Sequence, residues 1–299
     1  KEGTNWWDVI TRTALTNDHN LTVSGGTDKS RFLVSGGILA QEGVLQYNKF
    51  SRASLRINSS FDVSKRIRIG ENFNLARRNV FNSVAQSEQG TLSQVYKIAP
   101  ILPVYDIGTS VDPIDGTEDS FGGSKSANTG NAGNPLAQLY RGRRNFNKNL
   151  NILGNIWAEA DVIKDLTFKT QLNTDFNNAN SRAFRFRTPE NQEDQGAQNF
   201  NEHWSNGFTW TWTNTLGYKL ALGEKHKISA LAGYEAIKGD FRNINGSVND
   251  YFSTDPNIWY LNPAFGNAGT RQVGSSGSAN SLVSTFGKLD YSFNDQLFL

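Results

Sequence analysis

The sequence predicts an all-β chain: an antiparallel transmembrane β-barrel, present in part as about nine to ten strands of a larger barrel, with long extracellular loops. Two observations carry this. First, strand-like segments alternate polar and apolar residues over about ten positions, the period-two signature of a half-buried strand. Second, the connections between them alternate in length. Short polar turns at 26–29, 62–65, 161–165 and 222–225 take turns with mostly longer connections at 41–49, 80–145, 178–201 and 239–281. A soluble sandwich has no reason to collect its short turns at one end. A membrane barrel does, because one rim faces the periplasm and the other carries recognition loops.

In chain order, 17–26 sets His19, Leu21 and Val23 against Asn20, Thr22 and Ser24, and 30–40 follows after a tight GTDK turn. Residues 50–61 place Ala53, Leu55, Ile57 and Phe61 opposite Arg52, Ser54, Arg56, Asn58 and Ser60. Residues 67–76 answer with Ile67, Ile69, Phe73 and Leu75 against Arg68, Asn72 and Asn74. The cleanest segment is 145–160, where Phe146, Leu150, Ile152, Ile156, Ala158 and Ala160 oppose a row of asparagines and Glu159. Residues 166–176 carry Leu166, Phe168, Leu172 and Phe176 on one face. Residues 204–220 set Phe208, Trp210, Trp212, Leu216 and Tyr218 against a comb of threonines. Segments 227–236 and 282–293 complete nine strands, and 296–299 begins a tenth. Ten residues at ~3.3 Å rise and ~45° tilt climb roughly 24 Å, the height of a barrel's apolar band.

Composition fits this architecture. The 299 residues suffice for one large all-β unit or two ordinary domains. No stretch approaches the ~20 apolar residues of a membrane-spanning helix, and the mean hydropathy of −0.53 excludes a helical membrane protein. The absence of cysteine rules out disulfides and thiolate metal sites. A net charge of +2 gives no electrostatic case for nucleic acid. Methionine is absent and no signal peptide opens the chain, so a processed protein or a piece of a longer one is expected.

Several motifs have both a functional and a plain structural reading. Phe208, Trp210, Trp212 and Tyr218 suit an interfacial aromatic girdle at the lipid headgroups; the alternative is the aromatic core of a soluble sheet. The segment VDPIDGTED, with Asp112, Asp115, Glu118 and Asp119, lacks the spacing of a calcium loop. A solvated turn is expected there, with a hard-cation (calcium) site as the alternative reading, and no cofactor is expected. In SRAFRFR, continuation of the strand past Phe176 would keep Phe184 and Phe186 on the lipid side and turn Arg185 and Arg187 inward. His19, His203 and His226 lack metal-ligand spacing, and no nucleophile motif or phosphate loop is present, so no enzyme is expected.

The order of these segments resembles a known family. TNWWDVITRTALTNDHNLTVSGGTDKSRFLVSGGILAQEGVL, the next hairpin FSRASLRINSSFDVSKRIRIGENFNLAR, the pieces APILPVYDIG and NPLAQL, and STFGKLDYSFNDQLFL resemble successive barrel elements of SusC-like (RagA-like) TonB-dependent transporters. The resemblance covers nearly the whole chain. It implies an outer-membrane importer of oligosaccharide or peptide, partnered by a SusD-like surface lipoprotein and driven by TonB–ExbB–ExbD through an N-terminal plug that this chain lacks. It divides the chain into a loop helix (1–16), first strands (17–79), a long extracellular loop (80–145), further strands (146–238), a second loop (239–281) and a truncated hairpin (282–299). Outer-membrane lipid is then a further partner. Tyr105, Arg182, Arg185, Trp259 and Tyr260, read as loop residues, are the expected ligand or lid contacts, since aromatic rings stack on sugar faces and Arg donates to hydroxyl or carboxylate oxygens. The competing readings are a secreted, soluble β-rich carbohydrate-binding or adhesin module, and a barrel enzyme with catalytic groups facing the lumen.

Overall fold

A computed structural model of the chain describes residues 3–84, 87–106, 121–192, 198–223, 225–262, 264–294 and 297–298. Its strands are β1 (Thr16–Thr27), β2 (Ser30–Glu42), β3 (Lys49–Asp62), β4 (Ile67–Phe81), β5 (Phe146–Ile163), β6 (Leu166–Arg185), β7 (Asn199–Leu222), β8 (His226–Asn249), β9 (Gln272–Phe293) and the short β10 (Leu297–Phe298). They form one antiparallel sheet in sequence order, each strand paired with its chain neighbours. Among the described residues β1 and β10 do not pair with each other, so the sheet is an open wall.

Register turns the alternation of each strand into two continuous faces. Leu55 faces Leu75, which faces Ile152, then Phe176, then Phe208, along one apolar row across five strands. On the opposite face Asn58, Asn72, Asn155 and Asn173 stand side by side, followed by Thr211. A one-residue slip would exchange the faces, so the pairing is fixed by what each face must meet. The polar row is stitched laterally. Asn72 Nδ2 donates to Asn155 Oδ1 at 3.1 Å, and the Asn58 amide end lies 3.2 Å from Asn72 Oδ1. The apolar face stays open, with Phe61, Ile156, Leu172, Trp212 and Leu216 all exposed.

The strands outrun the alternation that reveals them. β6 continues through Arg185, β7 begins at Asn199, β8 continues through Asn249 and β9 begins at Gln272. The connections expected at 178–201 and 239–281 are therefore much shorter. Arg182 and Arg185, expected on a loop, are strand residues. The cause is solvent. Alternation is enforced only where the two faces meet different media, and beyond the apolar band both faces are wet. The 24 residues of β7, tilted ~45°, climb about 56 Å, roughly twice a band of ~25 Å.

The buried core lies outside the band, at the rim with the long connections. Helix α1 (Trp6–Ile10), α2 (Thr91–Lys97), the short α3 (Ser124–Ala127) and α4 (Pro135–Gly142) fold there. Trp6, Ile10, Val95, Ile98, Leu136, Ala137 and Leu139 make one buried cluster. Asn134 ties it together: its Oδ1 caps α4 by accepting from Leu136 and Ala137 N–H at 3.0 Å, while its Nδ2 donates to the Val104 and Gly122 carbonyls at 2.9 Å. The N-cap asparagine followed by proline at the first helical position is a standard helix start.

Candidate functional site

Two loops close on the tip of the β6–β7 hairpin from opposite sides. On the face continuous with the apolar rows, Phe184, Phe200 and Val248 are register partners, and Arg182 lies two residues before Phe184, opposite Glu202. The connection after β8 folds over them. Trp259 stacks on Phe184, with ring centroids 4.6 Å apart and planes 11° apart, and Tyr251 meets Phe184 edge-on at 5.4 Å. Phe184, Phe200, Val248, Tyr251 and Trp259 form a second buried cluster. Arg182 locks it by donating to the Trp259 carbonyl, pairing with Glu202 at 3.4 Å, and lying over the rings of Phe200 and Tyr260. The Tyr251 hydroxyl donates to the Tyr260 carbonyl. Burial pushes the Tyr251 phenol up to about 12; Arg182 opposes this and Glu202 adds to it.

On the polar face of the same tip sits the connection between β4 and β5. Asn145, the residue before β5, extends the pairing with its side chain. Its Nδ2 donates to the Phe184 carbonyl at 3.2 Å and its Oδ1 accepts from Phe184 N–H at 2.8 Å. Arg141 of α4 forms a two-pronged pair with Glu190, at 2.7 and 3.2 Å, with both side chains almost wholly buried. Between α4 and the hairpin tip is a cleft of about 490 Å³, lined by Gln89, Gln138, Arg141, Ala183, Arg185, Asn191 and Asn201 among others. Lower on the same face a shallower hollow of about 460 Å³ is lined by Arg56, Asn58, Asn72, Asn74, Asn155, Asn173, Asp175, Thr209 and Thr211.

The residues singled out from sequence do not meet in one place. Trp259 is 5% exposed and both its neighbours and its stacking partner hold it in the rim core, the packing role. Arg182 is engaged in the same cluster, whereas Tyr260 beside it is exposed. Arg185 is exposed on the polar face and lines the cleft. Tyr105 lies apart, exposed, stacked on Phe121 at 5.5 Å. Phe184 keeps the face that strand parity dictates but is covered by loop. Phe208, Trp212 and Tyr218 are exposed on the apolar face and Trp210 is half-buried there. Asp112, Asp115, Glu118 and Asp119 lie outside the described residues. Among the described residues no group of three His, Asp or Glu could hold a metal ion, and no helix is long and apolar enough to cross a membrane.

Sequence reading passed over Asn145 and the Arg141–Glu190 pair. Neither carries a local signal, because each acts on a partner more than thirty residues away. Asn134 could have been found from the Asn-Pro step before an apolar run.

No family model matches the chain. It is 25% identical over 296 residues to TonB-dependent receptor P3 of Formosa agariphila, covering 97% of this chain and 28% of that protein. It is 23% identical over 301 residues to TonB-dependent receptor P39 of the same organism, covering 98% and 26%. Among solved structures it superposes on a chain of the RagAB peptide transporter with a TM-score of 0.76 at 20% identity, covering 99% of this chain and 32% of that one. A weaker likeness, TM-score 0.51 at 13% identity, is to the siderophore receptor PiuA from Acinetobacter baumannii, covering 94% and 41%. The chain thus spans about a quarter to a third of the length of the TonB-dependent receptors and the RagAB chain.

Proposed function

Starting from the wall of an outer-membrane β-barrel of the TonB-dependent receptor kind, we propose that this chain serves nutrient import, as the N-terminal portion of a transporter barrel. The observation that carries the reading is the two-faced register: a continuous apolar face left open on one side, a continuous amide and hydroxyl face on the other, superposable over its length on a transporter wall. In this reading the apolar face meets lipid and the amide face lines the lumen. The rim bearing the long connections faces outward from the cell. Phe208 and Tyr218 bracket the lipid band: ten residues apart on β7, they differ in height by about 23 Å at ~45° tilt. Trp210, two residues inside Phe208, joins the outer girdle, whereas Trp212, four residues inside, sits about 9 Å into the band.

The transported ligand is an oligosaccharide or peptide, captured at the outward rim under a SusD-like lipoprotein, and energy comes from TonB–ExbB–ExbD. Arg185, Tyr260 and Tyr105 are the contacts that remain exposed for ligand or lid, while Arg182 and Trp259 shape the rim beneath. Deleting the gene of the full-length parent tests this. Cells lacking it are expected to lose uptake of either labelled peptides or labelled oligosaccharides, with recovery on complementation. Unchanged uptake of both would contradict the reading. A soluble adhesin module is disfavoured by the exposed apolar rows, which water would not tolerate at this extent. Recovery of the parent as a detergent-independent, water-soluble monomer would reverse that judgement.

A further inference from the structure

We infer that the cleft between α4 and the β6–β7 tip is a binding site for a carboxylate-bearing ligand, with Arg185 as its anchoring cation. This rests on the import reading and narrows its substrate class. Among the described residues the Arg185 side chain makes no hydrogen bond, ion pair or ring contact, and unlike Arg144, Arg187 and Arg271, which are also unengaged, it lines the cleft. Parity separates it from Arg182. Arg182, three residues earlier, points to the opposite face and is consumed by Glu202 and the Trp259 carbonyl.

The charge balance of the cleft favours an anion. Its described lining holds two arginines and no carboxylate. Arg141 is neutralised by Glu190 behind the wall, which leaves the guanidinium of Arg185 as the uncompensated charge. Around it stand amide groups, Gln89 and Gln138 from the loop side and Asn201 from β7, which can donate to the same ligand. A guanidinium offers a planar fork of donors that matches two carboxylate oxygens. The volume of about 490 Å³ falls within the ~300–1,000 Å³ of small-ligand sites. The two sides of the cleft are held rigid by the Arg141–Glu190 pair and by Asn145, so little ordering cost is left for binding.

A carboxylate of this kind comes from a peptide C-terminus or from an acidic sugar. The test uses the full-length parent in detergent and four probes: trialanine, trialanine amide, trigalacturonate and trigalactose. One carboxylate probe is expected to bind at least about tenfold more tightly than its neutral counterpart, the worth of a charge-assisted contact. Preference for trialanine identifies the peptide terminus, and preference for trigalacturonate the acidic sugar. Arg185→Gln removes that preference and Arg185→Lys retains part of it. Because Arg185 is exposed and unpartnered, both variants are expected to fold, which heat-modified gel mobility checks. Equal binding of acid and neutral probes, no binding of any probe, or an Arg185→Gln variant that keeps the preference would each overturn the proposal. Failure of the import reading shows separately, as uptake that survives deletion of the parent gene.

Discussion

The wall and the rim dispose of their apolar side chains in opposite ways. Across nine full strands the apolar rows are open, and every buried hydrophobic side chain among the described residues belongs to the loop assemblies or to strand tips beneath them. Leu172 and Phe184 sit on the same strand and the same face, twelve residues apart. The first is 38% exposed and the second 2%. Low down, lipid is the solvent and an exposed leucine costs nothing; at the rim the solvent is water, and the chain must build a core of soluble type to hold its loops. Stability is therefore distributed as backbone pairing in the wall and as side-chain packing at the rim.

The sharpest way to break this division is to remove the rim core. Phe184→Ala takes away the ring sandwiched by Trp259 and Tyr251, and should destabilise the loop after β8 by about 3–5 kcal/mol. Hydrogen exchange should show that loop opening while the β6–β7 pairing at 166–176 stays protected. Next comes the wall. Leu172→Arg places a charge on the apolar face between Ile156 and Trp212 and should cost about 2–4 kcal/mol in denaturant unfolding from lipid vesicles. A third prediction is a pH dependence confined to the rim. The Tyr251 pKa lies near 12 in the folded loop, against about 10 for a free phenol. Folding thus favours the neutral hydroxyl, and its contribution is complete below pH 10 and lost as pH rises from 10 to 12. Exchange of the 250–262 loop should quicken over that window while the wall does not respond. The smallest effect should come from Asn173→Arg, adjacent to Leu172 but on the wet face, with a change within about 0.5 kcal/mol.

The same division explains what could be read without coordinates. On β6, Leu166, Phe168, Leu172 and Phe176 alternate with polar residues because lipid meets one face only. The run Asn177, Asn178, Ala179, Asn180, Ser181 carries no such signal, since both faces are wet there, although the backbone pairing continues unbroken. The fold and the identity of the wall were therefore legible, and the upper strand ends were not. At the rim, Trp259 and Tyr260 are neighbours with similar rings, and nothing local shows that one stacks on Phe184 while the other stays exposed. The separate fates of Arg182 and Arg185 follow from parity, which sequence supplies, but Arg182 is consumed by Glu202 and Trp259, which only tertiary structure brings near. The cleft itself depends on α4 crossing to β6, a contact between segments about forty residues apart.

The central claim, that the apolar face touches lipid and does so only up to Phe176, can be measured on β6 directly. No cysteine is native to this chain; single cysteines from 166 to 184, in a full-length parent freed of any cysteine elsewhere, can carry an environment-sensitive fluorophore after reconstitution in vesicles with nitroxide-labelled lipid. Lipid quenching is predicted at 166, 168, 170, 172, 174 and 176, with water-soluble quenching at the odd positions between them. From 178 upward lipid quenching should vanish on both faces, and at 184 the label should be shielded from both quenchers. Water-phase quenching on both faces throughout 166–176, or lipid quenching that continues past 178, would contradict the account.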